Sequence, residues 1–192
     1  MSTRAQTILL IALTPIFLVI FTVIHESGHT ILARLFGDPA STFYLVRIDE
    51  QGTCLGCNIT DHAKLWYWGN LVVSVGGLLF TQVGAIVAFA LARFAPTDSF
   101  RRRALIVAAF GFAFLDVVVQ VVQGLAYDTS QHTWPTGVDL MDFMLLIGQA
   151  TGLSQNVLKS GLAVISVVYL FGIVVLYRRS FRNAQARGGQ AA

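Results

Sequence analysis

Along this chain the apolar residues come in long unbroken blocks separated by short polar connections, the pattern of several membrane spans rather than one globular core. The blocks cover residues 7–36, 69–94, 104–126 and 158–177. Each reaches the roughly 20 residues that a helix needs to cross about 30 Å of hydrocarbon. The expected fold is therefore an all-α membrane protein with about four transmembrane helices. Arg4 ahead of the first block imitates a signal peptide, but no small-residue cleavage site follows, so the block is read as mature structure.

The connections carry weaker signals. In residues 37–64, Thr42-Phe43-Tyr44-Leu45-Val46-Arg47-Ile48 reads as a strand, Asp49-Glu50-Gln51-Gly52 as a turn, and Thr53 onward as a partner strand. That predicts a small β-hairpin against the membrane surface. Trp66, Tyr67 and Trp68 stand where an aromatic belt would place them. Ser74, Gly76, Gly77 and Gly84 give the second span a small-residue lining that permits close helix packing. In residues 127–157, Pro135-Thr136-Gly137 breaks the chain and Asp139 reads as the N-cap of a short helix to about Gln149. The whole reads as one membrane domain over residues 1–182, with a Gly/Ala/Gln/Arg-rich tail over 183–192 expected to be disordered.

Composition agrees with the blocks: of 192 residues, 55% are hydrophobic and only 12% charged, less charge than an ordinary soluble domain carries. The net charge of +3 matters less than its placement. Arg93, Arg101, Arg102 and Arg103 crowd the second connection, Arg178, Arg179, Arg182 and Arg187 follow the fourth span, and Arg4 precedes the first. The other two connections hold Arg47, Lys64 and Lys159 against Asp38, Asp49, Glu50, Asp61, Asp128, Asp139 and Asp142. The positive-inside rule then puts both termini in the cytoplasm and the first and third connections on the opposite side. Since the arginines flank spans, topology accounts for them, and no nucleic-acid partner is expected.

Against this background one polar cluster stands out. Residues 5–24 carry no charge, yet the first block then continues as His25-Glu26-Ser27-Gly28-His29, in what read as the last turns of the span. Histidines four apart lie on one helix face and can reach one metal ion, with the glutamate beside them placed to take a proton from bound water. Such a string arises by chance on the order of once in a few hundred chains of this length. Ionisable groups on a spanning helix point to function by default.

Two histidines leave a catalytic metal site one protein ligand short. Under the topology above, Asp139 and Asp142 share the far side with the motif and, three apart, can point the same way. Asp139 is the leading candidate. The plainer reading of both is an N-cap and a first-turn acid favoured by the helix dipole. Asp116, inside the third span near Gln120 and Gln123, is the rival. Its depth toward the arginine-rich end argues for a hydrogen bond to Gln120, or a place lining a hydrated cavity, over ligation. His62 and His132 are isolated and read as surface residues. Cys54 and Cys57 form a lone Cys-x-x-Cys, compatible with a local disulfide on the extracytoplasmic side.

The stretch Ile24-His25-Glu26-Ser27-Gly28-His29, followed by Thr30-Ile31-Leu32-Ala33-Arg34-Leu35-Phe36-Gly37, resembles the helix of the site-2 protease family of membrane zinc metalloproteases. The second span from Gly69 to Gly84 is similar to that family's small-residue helix, and Pro135-Thr136-Gly137-Val138-Asp139 resembles the third-ligand segment of its compact, PDZ-free branch. The family's usual Leu-Asp-Gly is replaced here, since Leu140 follows the aspartate. The resemblance implies one Zn²⁺ held by His25, His29 and Asp139, with Glu26 activating water. It further implies hydrolysis of peptide bonds in membrane-associated protein substrates. Two other readings stay open: a catalytically silent membrane scaffold of the same fold, and a small transporter using Asp116 and Gln120.

Overall fold

The structure is a computed structural model that describes residues 3–49, 52–96, 99–126 and 138–188. Four of its helical stretches are long and apolar enough to cross a membrane: Thr14–Phe36, Gly76–Phe94, Phe100–Ala126 and Gln155–Arg179. Their outward residues are apolar, as on Val164, Ile165, Val168 and Phe171 of the last stretch, each more than half exposed. Large exposed aliphatic faces of this kind suit lipid rather than water.

The first block divides into α1 (Thr3–Ala12) and α2 (Thr14–Phe36). Pro15 is the cause: without an N–H it cannot bond the carbonyl one turn back, and its ring crowds that carbonyl. The division leaves His25 midway along α2 rather than in its last turns. The helix stops at Gly37, whose φ of 134° is open to glycine alone and whose missing side chain leaves room for the Lys64 carbonyl.

The expected hairpin follows as β1 (Thr42–Asp49) and β2 (Gly52–Ile59), paired antiparallel with Tyr44 opposite Cys57 and Asp49 opposite Gly52. Glu50 and Gln51 of the expected turn lie outside the described residues. Cys54 and Cys57 are disulfide-bonded. The hairpin is tied to α2 by Asn58 Nδ2 donating to Thr30 Oγ1 at 2.6 Å and by Arg34 Nε donating to the Ser41 carbonyl at 2.7 Å.

The second block also divides, into α3 (Tyr67–Ser74) and α4 (Gly76–Phe94), at Val75. The small residues do what their size suggested. A Cβ on Gly28 would lie 2.2 Å from the Gly76 carbonyl oxygen, so α2 and α4 touch backbone to backbone. Trp66 and Trp68 are exposed, as a belt requires, whereas Tyr67 turns its hydroxyl inward to the Leu146 carbonyl at 2.9 Å.

The third span is α5 (Phe100–Phe110) and α6 (Asp116–Ala126), joined by a single π-helical turn over Gly111–Leu115. A π-turn shifts the phase of everything after it, here beginning with Asp116. A short helix, α7 (Asp139–Thr151), packs on α3, α6 and α8, where Val117, Val121 and Leu140 form a core cluster with Leu162 and Tyr169. The expected Pro135-Thr136-Gly137 break lies outside the described residues. Finally α8 runs over Gln155–Gly188, helical beyond the point at which the tail was expected to become disordered. Ala, Gln and Arg there are good helix formers, which offsets the polarity of the segment.

Candidate metal centre

His25 and His29 are one turn apart on α2, and their rings are fixed from behind. Val73 ends near α3's last turn with a carbonyl that can only accept, so His29 Nδ1 carries the hydrogen and donates it at 2.7 Å. His25 Nδ1 faces the Asp116 carboxylate at 3.2 Å and donates to it. Asp116, 2% exposed, is itself held by the Thr81 hydroxyl of α4. Gly77 makes room for the His25 ring: a Cβ there would stand 2.3 Å from Nε2.

In the neutral tautomer with the hydrogen on Nδ1, Nε2 is the atom that each ring offers to a metal. These two nitrogens are 3.3 Å apart, and Asp139 Oδ2 lies 3.1 Å from one and 3.2 Å from the other. Oδ2 is buried and meets no hydrogen-bond donor among the described residues. Asp139 stands on α7, outside the four candidate spans. Two imidazole nitrogens and a carboxylate oxygen thus converge on one point. His25, His29 and Asp139 form a group that can hold a metal ion.

The remaining candidates are sorted by the same geometry. Asp139 is not an N-cap: it is the first helical residue, Val138 precedes it without a side-chain cap, and its carboxylate is turned to the histidines. Asp142 is buried but stands outside the ligand group. Asp116 is likewise outside that group, and its partners are His25 and Thr81 rather than Gln120. Its expected distance in depth from the motif is overturned, because His25 lies at mid-helix and Asp116 reaches it directly. Asp116 does line an open cleft between α2 and α6, together with Glu26 and Gln120. Gly56 of β2 approaches Glu26 from the hairpin side. His62 pairs with Asn70 at 2.9 Å, away from the cluster, and His132 lies outside the described residues.

Sequence reading missed Thr81, the Val73 carbonyl and the roles of Gly28 and Gly77. One signal was present for Thr81: it follows Ser74 by seven residues, on the same face of an apolar span. The main-chain carbonyl has no such signature. In comparisons with known proteins, no family model, no curated protein and no solved structure matches this chain.

Proposed function

We propose that this chain is a membrane-embedded zinc metalloprotease of the site-2 protease type, hydrolysing peptide bonds of membrane-associated proteins. One observation carries the reading: two Nε2 lone pairs and a carboxylate oxygen converge, with both Nδ1 hydrogens already spent on Asp116 and Val73. Tetrahedral zinc with bonds of about 2.0–2.1 Å needs ligand atoms about 3.3 Å apart, close to the 3.1–3.3 Å here. Two nitrogens and one oxygen are also a common catalytic zinc donor set.

Zinc held by His25, His29 and Asp139 would supply Lewis acidity and make a nearby water easier to deprotonate. The chain's own residues do the rest. His25 and His29 are kept in the ligating tautomer by Asp116 and the Val73 carbonyl, the arrangement that raises ligand basicity. Glu26, lining the cleft beside His25, takes the water proton on its carboxylate and returns it to the leaving amine. Helical peptide bonds are shielded, so the substrate must unwind locally. The outer edge of β1, with Tyr44, Val46 and Ile48 exposed, offers strand addition to such a segment. The arginine distribution puts both termini on the cytoplasmic side and the hairpin on the other.

The test is Glu26→Gln in the full chain, purified in detergent with zinc. Metal content should be unchanged, while cleavage of a synthetic spanning peptide falls about 10²- to 10⁴-fold. Undiminished cleavage by Glu26→Gln would overturn the role of Glu26. A zinc-loaded wild type that cleaves nothing would leave the scaffold reading, and a chain that takes up no zinc would leave the transporter.

A further inference from the structure

The cleft between α2 and α6 encloses about 390 Å³ and opens sideways between two candidate spans. Its rim is apolar and outward-facing: Leu18, Leu115 and Val119 are each about half exposed. Its inner end is polar, with His25, Glu26 and Asp116. Joining the two is a stripe on α6, Asp116, Gln120 and Gln123, spaced i, i+4, i+7 on one helix face. Gln123 is exposed at the mouth, whereas Gln120 is 8% exposed and its Oε1 is buried and meets no hydrogen-bond partner among the described residues.

A buried amide oxygen without a donor is costly, the more so in hydrocarbon. Lipid tails offer no donor, and a substrate in regular helix has spent its main-chain N–H groups internally. An extended peptide segment has them free. Neither glutamine is charged, which suits a neutral main chain better than a lipid phosphate or an ion. Resting on the protease reading above, the geometry points to Gln120 as a positioning residue for substrate: its side-chain amide turns from its buried position into the cleft it lines, where Oε1 accepts a main-chain N–H of an extended, locally unwound segment that enters between α2 and α6. That hydrogen bond favours the unwound form over the helix and delivers the segment to the end of the cleft where Glu26 stands.

The test uses the zinc-loaded full chain and synthetic spanning peptides with an unwound centre, in which one peptide N–H at a time is replaced by an ester oxygen. For wild type, one ester position should raise KM about 10-fold, the worth of one neutral hydrogen bond, with kcat changed less than about twofold. Gln120→Met, with unchanged zinc content, should show that raised KM on the all-amide peptide and no further rise on the ester. Equal KM for wild type and Gln120→Met, or independent additive losses, would overturn the inference. A second measurement needs no turnover: with a mild oxidant such as copper phenanthroline added to accept the two electrons, Gln123→Cys in the Glu26→Gln background should form a disulfide with a peptide bearing one central cysteine. Ile165→Cys, on the outward face of α8, should not. Cross-linking at position 123 without any cleavage by wild type supports the cleft and sinks the protease. Cleavage without cross-linking sinks the cleft alone, and failure of both sinks both.

Discussion

Two carboxylates, Asp38 and Asp139, are held away from solvent in opposite hydrogen-bonding situations. Asp38, 1% exposed at the foot of the hairpin, accepts the main-chain N–H groups of Ala40 and Asp61 at 3.2 and 2.8 Å and lies 3.6 Å from Lys64 Nζ. Donors match acceptors, and the result is a clamp between the end of α2 and the turn that leads into α3. Asp139 faces two ring nitrogens whose hydrogens are committed elsewhere, and its Oδ2 has no donor among the described residues. Burial of a carboxylate therefore does not by itself mark a functional site. The balance of donors and acceptors around it does.

The contrast is broken most directly at Asp139. Asp139→Ala should lower bound zinc from about one ion per chain to near none by elemental analysis. Chelator should then destabilise wild type, by about 4 kcal/mol where free zinc had stood at 1,000 times its Kd, and leave Asp139→Ala unmoved. A variant that keeps its zinc would place Asp139 in the same class as Asp38.

A smaller effect is expected one shell further out, where Asp116 only orients His25. Asp116→Asn should bind zinc about 10- to 100-fold more weakly in a competition titration, while still filling at saturation. Unchanged affinity would make the contact with His25 Nδ1 incidental.

The clamp responds differently. Asp38→Ala leaves main-chain donors without a partner and should cost about 1–3 kcal/mol in stability, read as a lower Tm in detergent, with zinc content untouched. The smallest effect is in pH. The Asp61 N–H holds the Asp38 carboxyl below the usual carboxylate range, helped by the Ala40 N–H and Lys64 and opposed by burial. A folded pKa below the unfolded value of about 3.9 stabilises fully above that value and is lost as pH falls through the folded one. Wild-type stability should accordingly drop below about pH 4, and Asp38→Ala should drop less steeply there. Parallel acid limbs would remove the clamp from the account.

The spans, the hairpin and the His25-Glu26-Ser27-Gly28-His29 motif were legible along the chain because each depends on neighbours in sequence: block length, alternation, and spacing on one helix face. Pro15 was visible too, yet its consequence, a break that moves His25 to mid-helix, changes the depth at which partners must be sought. Asp116 was misplaced for that reason. Asp139 shows the other limit. Its sequence context suits an N-cap and a ligand equally, since both use a carboxylate at the start of a helix.

What the sequence determined by itself is a multi-span helical chain carrying two histidines and a glutamate where a bilayer tolerates them only with partners. Which partners they have was decided by tertiary structure. The docking of α7 on α3, α6 and α8 aims Asp139 at the rings, and the π-turn before Asp116 sets that carboxylate behind His25. The glycine contact of α2 with α4 lets the His25 ring lie over Gly77. The residues that meet the α2 motif in this way, Asp139, Asp116, Gly77 and Gly76, stand 48 to 114 residues from their partners, and a distance in space between such segments has no trace in local composition.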